Sequence, residues 1–292
     1  MKYVKAKDFG KGKVSQLGPK NGSVLLDILQ KSKENGRNDS ILTKYFIDTP
    51  TENVKKLSMH HLILKFFRSQ QDSAVTASAS DFLQFCSSQM SELICQEAVK
   101  ETITQDENKL WHKLRYGRIT ASRAYETAHC HTLNGCLVEK ILGAIKMKDS
   151  YAMKRGKSLE KEVRQLVEKK TGIKIQPCGF YTSPECPIMG ASPDGITEEH
   201  ILEIKCPNSE KRMTEYLSNG KVTLKYSTQM QLQMYFTKKQ KGLFCVTNYD
   251  FETSKDFTLV SVEYDELYCN NIIQQCIEFW KKAIFPILEN SK

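Results

Sequence analysis

The residues whose types and spacing could do chemistry lie close together in the second half of the chain. Asp194 stands in a Pro-Asp-Gly turn, and Glu203 and Lys205 follow two positions apart in an apolar segment. A strand through that segment would place Glu203 and Lys205 on the same face, and a hairpin would bring Asp194 beside Glu203. Two such carboxylates could hold a hard divalent cation. A lysine beside them could position a water molecule or add a positive charge.

A Glu-x-Lys pair on a strand is common by itself and also fits a surface hairpin with a solvated ion pair. The combination with Pro193-Asp194, separated from Glu203 by eight residues, is much more specific. Together these residues resemble the PD-(D/E)XK signature of nucleases, which predicts hydrolysis of phosphodiester bonds.

Further segments extend this resemblance over residues from about 108 to 290, about 60% of the chain. This region resembles the phage lambda exonuclease, or YqaJ-type viral recombinase, family, whereas the first hundred residues show no such match. The matching segments, in the order of the family, are Trp111 to Gly117, Thr120 to Ser122, Arg155 to Glu160, Ser192 to Gly195, Leu202 to Pro207, Tyr226 to Gln231 and Asn248 to Asp250.

The resemblance implies a set of metal ligands. Asp194 and Glu203 would be the main ligands, the carbonyl of Ile204 would be another, and Glu160 would be the helix-borne acid that completes the site. Other acids lie near Glu160 on the same predicted helix, but the preceding Arg155-Gly156 at the spacing of the family favours Glu160. The implied metal is Mg²⁺, with Mn²⁺ as the alternative.

The same resemblance implies two further catalytic residues. Lys205 would be the catalytic lysine. Gln229 resembles the helix glutamine that supports the lysine and the attacking water, although Gln231 and Gln233 lie close enough to compete for that assignment.

A third implied group would bind the 5′-phosphate at the end of a DNA strand. Arg115, Thr120, Ser122 and Ser192 fall at the positions of this site in the family. The chemistry is suitable because an arginine fork matches the geometry of phosphate and the start of a helix offers free backbone N–H groups. The chain departs from the family in one respect: where the family exonuclease has a further arginine, it has Glu210-Lys211-Arg212.

The pattern of elements that must position these residues predicts an α/β fold. We expect a restriction-endonuclease-like PD-(D/E)XK core, with a small mixed sheet flanked by helices, and a helical N-terminal extension. Residues 1–105 would form a basic arm and this extension, and residues 106–292 the nuclease domain. Strands are predicted at 173–178, 179–183, 188–191, 201–206, 243–246 and 257–262, and helices at 152–171, 210–217, 226–237 and near the C-terminus.

Composition sets broader bounds. The net charge of +9 favours a polyanionic partner such as double-stranded DNA. The chain has no apolar run long enough to cross a membrane and no secretory signal at its start, which predicts an intracellular protein that does not act at a membrane. The sequence leaves open whether it works in the nucleus or the cytoplasm.

The ten cysteines are scattered, which fits reduced thiols in a core. Cys130, His131 and Cys136 lack the spacing of a zinc site. Cys206, Cys245, Cys269 and Cys276 are too dispersed for an iron–sulfur cluster. We therefore expect neither cofactor.

Three functions remain open at this point. The first is a Mg²⁺-dependent exonuclease that degrades duplex DNA from a 5′ end in recombination, repair or the processing of viral or mobile-element DNA. The second is a structure- or sequence-specific endonuclease on the same fold. The third is a DNA-binding module that has lost catalysis, which the presence of all the core residues disfavours. The resemblance also implies a ring-like homotrimer and a strand-annealing partner protein.

Overall fold

The structure, a computed structural model, describes residues 50–70, 77–143 and 150–290. The predicted basic arm and the part of the predicted helical extension before residue 50 lie outside the described residues. Apart from Pro50, all described residues belong to one compact unit that begins at Thr51.

Helices make up most of the described residues. The helices are α1 (Pro50–Lys55), α2 (Met59–Ser69), α3 (Ala79–Gln89), α4 (Glu92–Glu101), α5 (Lys109–Arg115), α6 (Ala121–Ala128), α7 (Cys136–Ile141), α8 (Tyr151–Thr171), α9 (Glu210–Tyr216), α10 (Leu224–Thr237), α11 (Phe251–Ser254), α12 (Glu266–Phe279) and α13 (Phe285–Glu289), with a 3₁₀ turn at Gln105–Glu107 and a π-helical turn at Trp280–Ile284. The strands are β1 (Ile119–Thr120), β2 (Met189–Gly190), β3 (Gly195–Ile196), β4 (His200–Lys205), β5 (Leu217–Ser218), β6 (Lys221–Val222), β7 (Lys241–Thr247) and β8 (Phe257–Glu263).

The central sheet confirms the predicted small mixed sheet. In the described residues its strand order is β3-β4-β7-β8. β4 pairs with β3 in the antiparallel sense and with β7 in the parallel sense, and β7 pairs with β8 in the antiparallel sense. The parallel step from β4 to β7 requires a crossover, which α9, the β5–β6 hairpin and α10 supply.

The two faces of β4 pack against different helices because successive side chains of a strand point to opposite sides. Leu202 and Ile204 join the apolar face of α8, which contributes Leu159, Val163 and Val167. On the other face, Ile201 packs with Met230 and Met234 of α10 and with Phe244 and Val246 of β7. Glu203 and Lys205 share the parity of Ile201, so the sheet directs both toward α10.

Helix α8 begins and ends with recognisable caps. The Ser150 hydroxyl accepts a hydrogen bond from the Met153 N–H at 3.3 Å, and Gly172 ends the helix in the left-handed region with φ 71°. A glycine adopts this conformation without steric penalty. The predicted helix over 152–171 is therefore confirmed within one residue.

The segment 173–183 differs from the two strands predicted for it. It contributes only isolated bridges, Gln176 to Ile196 and Tyr181 to Ala191. Its backbone is satisfied elsewhere. The Cys178 carbonyl accepts a hydrogen bond from the Gln105 side chain, and the Phe180 N–H donates to the Thr102 hydroxyl. These partners come from the preceding helical region, and residue-by-residue propensity does not reveal them.

The helices before residue 102 share a hydrophobic core with the C-terminal helices. Phe82 stacks on Trp280 with ring centroids 5.9 Å apart. The buried Arg118 guanidinium donates to the carbonyls of Leu57, Leu114 and Pro187 at 2.6, 2.6 and 2.7 Å. Arg118 thus connects the turn that follows α1, the end of α5 and the segment before β2.

Candidate active site

The Pro-Asp-Gly turn and β4 form a tight antiparallel junction that fixes Asp194. The Asp194 N–H donates to the Leu202 carbonyl at 3.0 Å, and its Oδ2 accepts from the Ile204 N–H at 2.7 Å. Gly195 is required here by close approach, since a Cβ at this position would overlap the Ile175 side chain. The predicted hairpin therefore brings Asp194 beside the strand that carries Glu203.

Glu203 is buried, with 3% of its surface exposed, and protein donors hold both of its oxygens. Its Oε1 accepts from Lys205 Nζ and from Gln229 Nε2, each at 2.5 Å. Its Oε2 accepts from Gln233 Nε2 at 2.5 Å. A buried carboxylate needs such charge-assisted hydrogen bonds to offset its loss of water.

The structure separates the three neighbouring glutamines of α10. Gln229 and Gln233 lie one turn apart and both donate to Glu203, as residues four apart on a helix share a face. Gln231 faces away, donating to the Glu263 carbonyl at 2.8 Å and accepting from the Asp265 N–H at 2.8 Å. Sequence reasoning treated Gln233 only as a competitor of Gln229. The four-residue spacing was the signal that both could reach one carboxylate.

Glu160 on α8 completes a group of three carboxyl groups that interact electrostatically. We call this group, Glu160, Asp194 and Glu203, the acidic site. Burial, followed by the charges of Glu203 and Glu160, raises the pKa of Asp194 well above its usual range. Burial also raises the pKa of Glu160, Arg164 opposes this shift, and Glu203 reinforces it. The folded protein therefore compensates the negative charge of this site incompletely.

Lys205 forms an ion pair with Glu203 of this site. Burial lowers the pKa of its ammonium group, but the charges of Glu203 and Asp194 and the hydrogen bond to Glu203 outweigh burial and raise it. Its Nζ also lies 5.3 Å from the centroid of the Tyr226 ring. Lys205 is consequently protonated at neutral pH, which suits it to donate a hydrogen bond or a charge rather than to accept a proton.

The four residues predicted to bind a 5′-phosphate lie in one region around α5, β1 and the segment after β2. The Arg115 guanidinium lies 3.8 Å above the Trp111 ring, and Trp111 Nε1 donates to Ser192 Oγ at 2.9 Å. The hydroxyls of Thr120 and Ser122 are 3.1 Å apart. Pairing of β1 with β2 sets Thr120 opposite Gly190, two residues before Ser192.

The electrostatics of this region are opposite to those of the acidic site. Burial, followed by the nearby Arg123, lowers the pKa of the Arg115 guanidinium. Thr120 is the N-cap of α6, but its side chain makes no capping hydrogen bond. The start of α6 therefore presents free N–H groups beside two arginines and two hydroxyls, a combination suited to an anion.

In a comparison with protein families, residues 110–240 match a YqaJ-like viral recombinase domain. This stretch contains the four residues predicted to bind a 5′-phosphate, the acidic site, Lys205 and the three glutamines of α10. Residues 110–240 are therefore similar to this domain, and we call them the YqaJ-like domain. The sequence resemblance to this family is thereby confirmed. No curated protein sequence is similar enough to count as a relative of the chain.

Solved structures of nucleases resemble the YqaJ-like domain and its surroundings. An alkaline exonuclease from Laribacter hongkongensis is 26% identical, with a TM-score of 0.50 over 61% of this chain and 90% of that one. The shutoff and exonuclease protein of the Kaposi's sarcoma-associated herpesvirus is 13% identical, with a TM-score of 0.52 over 91% and 96% of the two chains. Its RNA complex matches with 13% identity and a TM-score of 0.50, over 91% and 96%. The viral likeness establishes the fold, and the bacterial one extends to sequence.

The acidic site has ligand chemistry that suits a metal ion, but its side chains are not arranged around one. Among the described residues, no three His, Cys, Asp or Glu side chains form a group already arranged to hold a metal. The oxygens of Glu203 and Asp194 instead accept hydrogen bonds from protein donors. The donor chemistry nevertheless fits, because the ligands are oxygens and the raised pKa values of Asp194 and Glu160 mark negative charge that a hard cation would offset.

Arg155 is a structural residue near the acidic site, and it served only as a spacing marker in the sequence analysis. Its guanidinium donates to both oxygens of Glu252, to the Pro207 carbonyl at 2.7 Å and to the Tyr249 carbonyl at 3.0 Å. These bonds anchor the first turns of α8 to the segment that leaves β4. Because Glu160 lies five residues further along α8, Arg155 sets the position of that acid relative to β4.

The described residues give two further results of wider scope. All ten cysteines are free thiols, and eight of them are buried. Within the ranges described above, no helix combines the length and the apolar character that a membrane span requires.

Proposed function

We propose that this protein is a metal-dependent deoxyribonuclease that degrades one strand of duplex DNA from a 5′ end. The observation that carries the proposal is the meeting of the acidic site with Lys205 at β4, inside a YqaJ-like domain. Its likeness to an alkaline exonuclease of 26% identity supports the reaction class. The predicted 5′-phosphate residues around Arg115 support attack from the end of a strand.

The residues that would hold Mg²⁺ are Glu160, Asp194, Glu203 and the carbonyl of Ile204. When bound, the cation supplies positive charge that acidifies a water molecule and offsets the charge developing on the phosphoryl group. The protein positions its ligands through the Ile204 N–H, which fixes Asp194, and through Gln229 and Gln233, which fix Glu203.

Lys205 would act as a positioned cation. Its raised pKa keeps it protonated, so it can donate to the attacking water or to a phosphate oxygen. Gln229 shares Glu203 Oε1 with Lys205 and therefore restrains the lysine as well as the carboxylate. Positive charge held in place before the reaction is the usual means by which proteins stabilise a phosphoryl transition state.

Arg115, Thr120, Ser122 and Ser192 would bind the 5′-phosphate of a strand end. Stacking on Trp111 holds the Arg115 fork, and the hydrogen bond from Trp111 holds Ser192. The net charge of +9 would add a salt-dependent attraction for the DNA backbone. Assembly as a ring-like trimer and cooperation with a strand-annealing protein remain parts of the proposal that rest on family resemblance.

The test uses purified full-length protein with linear duplex DNA, in Mg²⁺ or in chelator. Substrates carry 5′-phosphate or 5′-hydroxyl ends, and covalently closed circles and single-stranded RNA are run in parallel. Lys205→Ala and Asp194→Asn proteins are the controls for catalysis. We expect Mg²⁺-dependent loss of 5′-phosphorylated strands, intact circles and no cleavage by either variant.

Other outcomes discriminate between the remaining functions. Nicked or linearised circles would replace the exonuclease with an endonuclease. RNA cleaved in preference to DNA would change the substrate class. Folded protein that binds DNA without metal-dependent cleavage on any substrate would leave a non-catalytic DNA-binding module.

A further inference from the structure

A basic cavity of about 900 Å³ lies beside α5, β1 and α6. Five lysine and arginine side chains line it in addition to the structural Arg118: Lys109, Lys113, Arg115, Arg123 and Lys140. Among the described residues of its lining there is no aspartate or glutamate. Its volume falls at the upper end of the range for small-molecule sites.

Among the described residues, the cations of this cavity have no acidic partners, in contrast to lysines elsewhere on the molecule. Lys225, Lys255 and Lys282 each pair with a glutamate. Within the described part of the chain, none of the five cavity cations forms a salt bridge. Concentrated positive charge without counter-charge is the electrostatic footprint of a polyanion site.

A single terminal phosphate accounts for only part of this charge. A phosphate monoester carries about −1.5 to −2 at neutral pH. The charges of Arg115, at the end of α5, and Arg123, in the first turn of α6, would match it. Lys109, Lys113 and Lys140 remain. A ligand that used the whole cavity would therefore carry several phosphates.

The wall of the cavity also offers a surface for a base. Tyr116 is 36% exposed, its ring lies against Gly143, and both residues line the cavity. Stacking of bases on aromatic rings within a basic groove is the usual way to bind single-stranded nucleic acid. A small polyphosphate would leave such a ring unused.

We propose that the basic cavity binds a single-stranded 5′ tail that extends beyond the duplex, so that Arg115 can contact an internal phosphate as well as a terminal one. This inference rests on the proposed nuclease function and adds a substrate class to it. The consequence for the reaction is specific. A tailed end would release a short oligonucleotide in its first cleavage, because several nucleotides would lie on the 5′ side of the scissile bond.

Binding is measured with full-length Asp194→Asn protein in chelator, so that no cleavage intervenes. The probes are fluorescent duplexes with blunt 5′-phosphate ends, with 5′ tails of four nucleotides, with 3′ tails of the same length and with blunt 5′-triphosphate ends. We expect the 5′-tailed duplex to bind about tenfold more tightly than the blunt duplex. The double substitution Lys113→Gln and Lys140→Gln should remove most of this difference and lower the salt slope by about 1.4, or about 0.7 for each lost phosphate contact.

The matched control is Lys282→Gln, an exposed lysine outside the cavity, which should preserve the preference for the 5′ tail. Thermal unfolding of each variant shows that it is folded. Equal affinity for blunt and 5′-tailed duplexes, equal affinity for 3′ tails, or equal affinity for the triphosphate end would each overturn the proposal. A tail preference without any nuclease activity in the wild type would overturn the proposed function but support the binding site.

Cleavage gives the second measurement. Wild-type protein with Mg²⁺ should release oligonucleotides from 5′-tailed ends and mononucleotides from blunt ends. The lysine double variant should retain its activity on blunt ends. Mononucleotides as the first product from both kinds of end would contradict the assigned path of the tail.

Discussion

The acidic site on β4 and the basic cavity beside β1 belong to one compact unit but have opposite charge imbalances. In the acidic site, burial and mutual repulsion raise the pKa values of Asp194 and Glu160. At the basic cavity, burial and the neighbouring Arg123 lower the pKa of Arg115. Each region therefore lacks the counter-charge that a cation or a phosphate would bring.

Two other arginines have guanidinium groups whose hydrogen bonds are made by protein partners. Arg118 donates to three carbonyls, and Arg155 pairs with Glu252 and two carbonyls. Both are buried, yet their partners give them structural roles. Burial alone does not mark a functional charge, and the missing partner is the more informative sign.

The largest expected effect tests whether the negative charge of the acidic site is incompletely compensated. Asp194→Asn should reduce Mg²⁺-dependent cleavage by about 10³-fold, since removal of a metal ligand sacrifices several kcal/mol of transition-state stabilisation. The same substitution should raise the melting temperature of the metal-free protein, because it removes a carboxylate whose ionised form the fold disfavours. Activity assays and calorimetry in chelator measure the two effects.

The sign of this stability change depends on pH. A raised pKa means that the folded state binds the proton more tightly than the unfolded state, so stability falls as pH rises from about 4 through the raised value. The advantage of Asp194→Asn should therefore grow with pH in this window. Mg²⁺ should stabilise the wild type but have little effect on the variant. A variant that is less stable than wild type at neutral pH would contradict the charge imbalance.

The next effect tests how much the hydrogen bonds of the buried Arg118 contribute to stability. Arg118→Met should destabilise the protein by about 3 kcal/mol or more, because three buried carbonyls lose their donor. Urea denaturation measures the loss, and Lys282→Met, at an exposed site, should change stability by less than about 0.5 kcal/mol. A fully stable Arg118→Met protein would show that these carbonyl contacts contribute little to the docking of the helices.

A smaller effect separates the two glutamines that reach Glu203 from the one that does not. Gln233→Leu should raise the Mg²⁺ concentration required for half-maximal stabilisation and activity by about tenfold, as loss of a residue that orients a ligand typically does. Gln231→Leu, on the same helix, should lower the melting temperature without changing the Mg²⁺ requirement. Equal shifts in both variants would mean that helix stability rather than the position of Glu203 is responsible.

The smallest expected effect concerns the predicted 5′-phosphate site. Arg115→Lys keeps the charge but loses the planar fork and its stacking on Trp111. The preference for 5′-phosphate over 5′-hydroxyl ends should fall by about fivefold, equivalent to roughly 1 kcal/mol. Competition between the two labelled substrates measures it, and an unchanged preference would place the terminal phosphate elsewhere.

Much of the site could be predicted from the sequence because its chemistry is local. The alternation of β4 places Glu203 and Lys205 on one face, and the Pro-Asp-Gly turn returns Asp194 to that strand. Gly172 and the serine before α8 set the ends of the helix that carries Glu160. These features depend on residues a few positions apart, which is the range over which propensity and periodicity operate.

Only the tertiary structure decided the remaining features, since they join residues that are distant in the chain. The choice of Gln229 and Gln233 over Gln231 depended on how α10 rotates over the sheet. The segment 173–183 lost its predicted strands because Gln105 and Thr102 satisfy its backbone. The basic cavity gathers lysines and arginines from α5, α6 and α7, and no spacing within the sequence could show that they face the same space.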